Sequence, residues 1–442
     1  MITDFNLRTF FHPWRIARHR GFLERAERFS VEELRAWQDE RLRALVRYAY
    51  EQVPYYRELF DREGLQPGDI RGAADLPRIP TLTKELVRER AADLRSREFD
   101  RLRPVEVRTS GSTGTPLRLY ADRGLAIAKF ATFWRIWNRA GYRLGQRWAL
   151  IAGPVFDDGA LFRRVRSMNA LYVSSFNLTA ETARQILDEL LRFKPVFLRG
   201  YPSALHEFSR FIGDPAALRR IGIRSISTNS ENLLPHQRGQ IEEAFGCRVF
   251  DVYSQWEQVC VAAQCERGSY HHEAEYGLLE ILDPQGRPAP PGETGELVGT
   301  GLFHRAMPLI RYRTRDLARR GGRPCPCGRA HPVIEALDGR MEDVVVTPDG
   351  RRVGRLDAAF KWNAGFDFAQ VVQDTPDGIA VRLVRNAAFR PEVLAELEQH
   401  LRDRVGAALK IRFEFPGRIE PDANGKIRFV VNKQLSSPPP LP

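Results

Sequence analysis

The run Arg108-Thr109-Ser110-Gly111-Ser112-Thr113-Gly114-Thr115-Pro116 sets two glycines among two serines and three threonines. Apolar alternation flanks it at Val105/Val107 and Leu117/Leu119. Glycines leave backbone N–H groups unhindered and hydroxyls add further donors, which is what phosphate oxygens need. The run lacks the Gly-Lys-Ser/Thr ending of a P-loop, and by itself it reads as a plain turn. Four other stretches carry chemistry-bearing side chains: Asp251-Val252-Tyr253-Ser254-Gln255-Trp256-Glu257, Ile310-Arg311-Tyr312-Arg313-Thr314-Arg315-Asp316, Gly339-Arg340-Met341-Glu342-Asp343 and Asn424-Gly425-Lys426. Each also has an ordinary explanation. Asp316 suits a surface ion pair with the arginines around it, Glu257 a charge at a helix start, Tyr253 a place in the core, and Lys426 the end of an Asn-Gly turn.

A second set points to a metal. Cys265 and His271 lie six residues apart, and Cys325 and Cys327 form Cys-Pro-Cys-Gly-Arg. Three thiolates and an imidazole suit tetrahedral Zn²⁺ with a closed, structural shell. His272 is an alternative to His271, and a four-cysteine site using Cys260 stays open. Cys260, between Val259 and Val261, otherwise reads as core, and Cys247 reads as buried and inert.

The elements that must position these residues follow from periodicity. Ser30 and Glu33 form a capping-box pattern, and Leu34, Trp37, Leu42, Leu45, Val46 and Ala49 continue at helical spacing over 31–60, broken and restarted at Val53-Pro54. From about 120 to 260, short apolar runs (148–152, 195–198, 225–228, 248–253) alternate with amphipathic helices at 180–193 and 235–245. Strand–loop–helix repetition predicts an α/β fold with a mainly parallel, doubly wound sheet, whose ligands sit at the carboxyl ends of the strands. Around 276–320 the pattern becomes antiparallel, as in a small β-barrel-like region. Beyond Gly339-Arg340 it reads as a small α+β domain with a Pro-rich tail over 436–442. The expected division is therefore 1–339, a large N-terminal domain with the zinc region at about 260–330, and 340–442, a small C-terminal domain.

In order and spacing the five stretches resemble the adenylate-forming ligase superfamily: acyl-CoA synthetases, peptide-synthetase adenylation domains and luciferases. Within it the chain is similar to the phenylacetate–CoA ligase branch and its CapK-like members. Arg47-Tyr48-Ala49-Tyr50-Glu51-Gln52-Val53-Pro54-Tyr55-Tyr56 and Ile79-Pro80-Thr81-Leu82-Thr83-Lys84 resemble the N-terminal signatures of that branch, so the likeness covers roughly residues 30–435. It implies ATP-dependent conversion of a small-molecule carboxylic acid to an acyl-adenylate, then transfer to an acceptor. The CoA thiol is expected; an amine or a carrier-protein thiol is the alternative. Ser110, Gly111, Ser112, Thr113 and Gly114 would hold the β- and γ-phosphates, Glu257 would bind Mg²⁺, and Tyr253 would stack on adenine near Ser230 and Glu231. Asp316 would accept from the ribose hydroxyls beside Arg340, and Lys426 would bridge carboxylate and α-phosphate. Asp343 falls where the family hinges its C-terminal domain. The early Cys/His pair followed by Cys-x-Cys-Gly-Arg resembles zinc-bearing members of the branch. Trp134, Tyr201 and Asn229 are candidates for the acid pocket. Two positions depart from the common pattern: Arg315 stands where many relatives have glycine in Thr-Gly-Asp, and Leu117 stands where many have lysine.

Composition narrows the alternatives. The 442 residues are 43% hydrophobic and 10% aromatic, enough for two or more globular domains. The net charge of +12 is arginine-rich but diffuse, without the aromatic-interleaved basic patch of a nucleic-acid binder. No apolar run reaches the length of a membrane span, and no secretory signal core is expected at the N-terminus. Five unevenly spread cysteines suit a reducing compartment, the cytoplasm, rather than a disulfide framework. A homodimer is compatible with these features, which do not themselves specify one.

Overall fold

The computed structural model describes residues 13–108, 117–153, 156, 159–340, 343–349, 352–353, 356–360, 365–422 and 427–434. In chain order it contains helices α1 (Pro13–Ala26), α2 (Val31–Gln52) and α3 (Pro54–Arg62), strands β1 (Val105–Arg108) and β2 (Arg118–Ala121), and helix α4 (Arg123–Arg139). Next come β3 (Trp148–Ala152), β4 (Phe162–Val165), β5 (Ala170–Ser174), α5 (Ala180–Phe193), β6 (Phe197–Gly200), α6 (Pro202–Ile212), β7 (Ser225–Asn229), α7 (Pro235–Phe245) and β8 (Arg248–Ser254). There follow β9 (Val261–Gln264), β10 (Tyr270–His272), β11 (Gly277–Leu282), β12 (Thr294–Gly301), β13 (Tyr312–Arg320) and β14 (Val333–Arg340). The chain ends with β15 (Phe366–Thr375), β16 (Gly378–Arg385), α8 (Glu392–Val405), β17 (Lys410–Glu414) and β18 (Val430–Asn432). These elements gather into two compact units, Met1–Gly141 with Val252–Leu337, and Tyr142–Asp251 with Asp338–Pro442.

In the first unit the expected capping box is present: Ser30 Oγ accepts from the Glu33 N–H (3.2 Å), and Glu33 Oε2 accepts from the Ser30 N–H (2.7 Å). Leu34, Leu42, Leu45, Val46 and Ala49 form the buried stripe of α2, which ends at Val53 because Pro54 starts a new helix at its first position. Strands follow the order β11-β12-β13-β14-β10-β9, with β11/β12, β12/β13, β10/β14 and β9/β10 antiparallel. The Ile79–Lys84 signature pairs with the start of β13: Leu82 N–H donates to Arg311 O and Arg313 N–H to Leu82 O, both at 2.9 Å. Two stretches 230 residues apart in sequence therefore support one another.

The second unit holds the mainly parallel strands. Strands β7, β6, β3 and β5 are parallel neighbours in that order, with β4 antiparallel on the outside of β5. Leu198, Ile226, Ile186, Leu190, Leu205, Phe208 and Ile241 fill the layer between these strands and α5, α6 and α7. A Cβ at Gly200 would meet Ile151 O at 2.6 Å, so the close approach of β6 to β3 at this carboxyl end needs glycine. Residues 365–422 and 427–432 form the small α+β part, with strand order β17-β16-β15-β18 and a core in which Leu397 and Leu401 of α8 join Val371, Val381 and Leu383 of the strands.

Candidate active site

In the first unit three expected residues come together with a tyrosine that sequence reasoning did not assign. The Tyr253 hydroxyl, at the end of β8, donates to Asp316 Oδ2 at 2.6 Å. The Tyr312 hydroxyl donates to Glu257 Oε1 at 3.1 Å. Tyr312 is fully buried within the cluster built by α2 and α3. Both phenols are pushed above their ordinary pKa, first by burial and then by the neighbouring carboxylates, so both remain donors at neutral pH. Asp316 is buried on β13, its N–H on Thr314 Oγ1 (3.1 Å), and the Thr314 hydroxyl donates to Leu297 O (2.8 Å). Arg311 buttresses the same strand with a paired contact to Glu280 (2.9 Å twice) and a bond to Ile79 O (2.6 Å). The clue to Tyr312 was its place in Ile310–Asp316, a charged stretch in which an aromatic residue must face inward. Trp134, on α4, packs with Phe130 against Ile16 and Leu23 of α1 and lies under the Arg20 guanidinium.

In the second unit the expected residues cluster at the carboxyl ends of β6 and β7. Asn229 is buried at the last position of β7, and Ser230 follows in the left-handed region (φ +72°). Glu231 then accepts from Ser203 N–H and Ser203 Oγ at the start of α6, both at 3.0 Å, and from Ile427 N–H at 3.1 Å. Tyr201 caps α6 with its N–H on Ile151 O; burial, with Glu231 nearby, pushes its phenol up to about 12. Arg340 and Asp343 close a turn, Asp343 N–H donating to Arg340 O (2.9 Å), and Arg428 reaches Asp343 Oδ1 at 2.5 Å. Ser110, Gly111, Ser112, Thr113, Gly114 and Lys426 lie outside the described residues.

The four expected metal ligands converge. The ligating atoms of Cys265, His271, Cys325 and Cys327 all lie within 4.8 Å of one another. Cys265 and Cys325 Sγ are 3.7 Å apart, and Cys327 Sγ is 3.3 Å from His271 Nε2. A tetrahedron with zinc–ligand bonds of about 2.3 Å to sulfur and 2.0 Å to nitrogen separates such pairs by about 3.8 and 3.5 Å, so the donor set fits. His271 Nδ1 meets His331 O at 3.1 Å, which directs Nε2 inward. His272 faces elsewhere, on Val261 O and Gly277 O, and Cys260 Sγ meets the Gln255 amide. Of the two histidines, His271 is the one whose ring lies in the cluster.

This is the fold of the acyl-CoA ligases. The chain superposes on 2-hydroxyisobutyryl-CoA ligase, solved in its postadenylation state with R3-HIB-AMP, with a TM-score of 0.75 over 93% of this chain and 92% of that one, at 22% identity. Residues 345–433 match the CapK C-terminal domain. The chain is 29% identical to the phenylacetate–coenzyme A ligase of Thermus thermophilus, covering 92% of this chain and 98% of the relative. It is 30% identical to that of Escherichia coli K12, covering 73% and 75%. The chain belongs to the phenylacetate–coenzyme A ligase family. Among the described residues no helix is long and apolar enough to cross a membrane.

Proposed function

We propose that the chain activates a small carboxylic acid with ATP and transfers the acyl group to the thiol of CoA. The carboxylate oxygen attacks the α-phosphorus, pyrophosphate leaves, and the acyl-adenylate forms. The thiol sulfur then attacks the acyl carbon, the thiol proton is lost and AMP leaves. The observation that carries this is the paired arrangement of Asp316 under Tyr253 and Glu257 under Tyr312 in a chain of this family. Asp316 takes the ribose hydroxyls, with Arg340 assigned to the same nucleotide. The Tyr253 ring faces adenine, and Ser230 and Glu231 belong to the nucleotide's surroundings. Ser110, Gly111, Ser112, Thr113 and Gly114 hold the phosphates, and Lys426 bridges the two anions as they meet. Glu257 offers the hard carboxylate oxygen that Mg²⁺ needs; when bound, that ion neutralises phosphate charge. Tyr201, Asn229 and Trp134 are assigned to the acid pocket.

The remaining assignments follow the same reading. Residues 1–339 bind acid and nucleotide, 340–442 carry Lys426, and Asp343 is the hinge between them. Cys265, His271, Cys325 and Cys327 hold a structural zinc with no open coordination position, and the cytoplasm is the compartment that keeps such thiolates reduced. The CapK-type C-terminal match permits one second reading, with an amine or carrier-protein thiol as acceptor. ATP–pyrophosphate exchange against a panel of carboxylic acids tests the first step, and CoA, amines and carrier thiols offered to the preformed adenylate test the second. Folded protein that binds ATP but exchanges pyrophosphate with no acid would sink the proposal.

A further inference from the structure

We infer that Tyr253 is a positioning residue for ribose recognition: its hydroxyl sets the Asp316 carboxylate in the plane that a ribose diol requires, and so selects ribonucleotides over deoxynucleotides. The inference rests on the proposed role of Asp316 as the ribose acceptor and adds a role for a hydroxyl that stacking on adenine does not use.

The geometry is over-determined at Asp316. Its backbone lies in the β12–β13 bulge, held between the flanking pairs Val298↔Arg313 and Glu296↔Leu317 and by its N–H on Thr314 Oγ1, whose hydroxyl bridges to Leu297 O. The last torsion of an aspartate is nonetheless broad, because rotation about an sp³–sp² bond has shallow wells. The Tyr253 hydroxyl, 2.6 Å from Oδ2, stops that rotation. Tyr253 is itself fixed: it stands opposite Ala262 in the β8–β9 pairing, and its ring packs against the apolar cluster of Ala262, Leu297, Ala318 and Ile334. Adjacent ribose hydroxyls present two donors in a fixed geometry, and a carboxylate that accepts both must hold its plane. A bond donated by a half-buried phenol to a charged acceptor is of the stronger kind. It therefore joins the adenine-facing ring and the ribose acceptor into one rigid element. The phenol's raised pKa keeps it a donor but is not needed for the placement.

The test compares equilibrium binding of ATP and 2′,3′-dideoxy-ATP to the wild-type chain, Y253F and D316A. The wild type is expected to favour ATP by about tenfold or more, the worth of charge-assisted hydrogen bonds. D316A should abolish that preference. Y253F should weaken ATP by about tenfold, leave the dideoxy analogue within about twofold, and so lose most of the preference; this is a thermodynamic cycle between one hydroxyl on the protein and two on the ligand. A ring that serves only packing or adenine stacking would lower both nucleotides equally or neither. Preference retained by Y253F and lost by D316A would overturn the inference while leaving Asp316 as ribose acceptor. A wild type that binds both nucleotides equally would overturn the ribose assignment and the inference with it. Should Y253F not fold, as judged by its thermal midpoint, Y253M removes the same hydroxyl, and because it also removes the ring, only its ratio of ATP to dideoxy-ATP affinity is read: a ratio kept at the wild-type value would overturn the inference.

Discussion

Arg315 lies in the left-handed region, with φ +63°, and its guanidinium reaches Glu85 Oε1 at 2.8 Å. Its N–H also donates to Glu296 Oε1 at 3.1 Å. The chain thus keeps the backbone shape that a glycine would adopt at this position, but with a side chain present. A non-glycine residue there costs about 1–2 kcal/mol, and the half-exposed pair with Glu85 returns about 1 kcal/mol at most. R315G should therefore leave stability within about 1 kcal/mol of the parent, because relief of strain offsets the lost pair and the greater freedom of the unfolded chain. R315A keeps the strain and loses the pair, so it should be less stable than R315G by about 1 kcal/mol. Denaturant unfolding of the three proteins checks the order; R315A above R315G would refute it.

His206, on α6, is buried, with Nε2 on Asp367 O at 3.0 Å and its ring edge-on to His236 and Phe368. Its Nδ1 has no hydrogen-bond partner among the described residues. Burial, then the neighbouring His236 and Arg210 charges, pulls its pKa down to about 4, against an ordinary 6.5. The folded state thus holds the neutral ring while the unfolded chain takes up a proton below pH 6.5. The associated stability is complete above 6.5 and declines as pH falls toward 4. Between pH 7 and pH 5 the loss is about 2 kcal/mol. H206Q, which keeps a donor for Asp367 O, should remove that slope, so the unfolding free energies of variant and wild type should converge by about 2 kcal/mol over the interval. Parallel pH profiles would refute the assignment.

Helices α5 and α7 were legible to the residue because a proline or a threonine cap marks each start and the apolar stripe keeps a 3.6 period. Strands β3, β7 and β8 were legible as short apolar runs, ended by Gly153-Pro154, by Asn229-Ser230-Glu231 and by Ser254. Strand β4 was not: Arg163 and Arg164 face solvent at an edge, leaving no apolar alternation to read. The site divides the same way. Asp316, Glu257 and the four Cys/His ligands are visible as motifs, whereas the hydroxyls that hold the carboxylates depend on pairings across 63 and 55 residues. Local spacing cannot encode those.

The metal makes a direct prediction. Protein purified without chelator should carry about one zinc per chain, and C327S or C265S should carry far less, with a thermal midpoint lower by several degrees. C247S is a control, since burial pushes that thiol up to about 12 and it lies outside the cluster. Elemental analysis finding no zinc in freshly reduced wild type would overturn the assignment.

Lys426 offers the sharpest kinetic split. K426A removes a cation that would act only as the two anions meet, so pyrophosphate exchange should fall by about a hundredfold or more while ATP affinity changes by less than about threefold. Exchange at the parental rate would remove Lys426 from the reaction.

Arg135 shows how a buried charge binds the first unit together. From α4 it grips Glu275 with both ends of its guanidinium (2.7 and 2.8 Å), donates to Leu23 O at 3.0 Å and also meets Glu273. Arg139 also meets Glu273, and His331 Nε2 meets Glu275 at 3.0 Å. The His331 carbonyl in turn holds His271, so the network runs from the Cys/His cluster to α4 and α1. Removing Arg135 leaves Glu273 with a cation, but Glu275 with only an imidazole. R135M should therefore cost about 3–5 kcal/mol, the penalty for an uncompensated buried carboxylate. R135M/E275Q removes that charge and should recover at least half of the loss, because a neutral amide can share hydrogen bonds with His331 at much smaller desolvation cost. Denaturant unfolding of both variants decides the matter: no recovery in the double variant would mean that packing of the arginine stem, and not the charge, is what the fold requires.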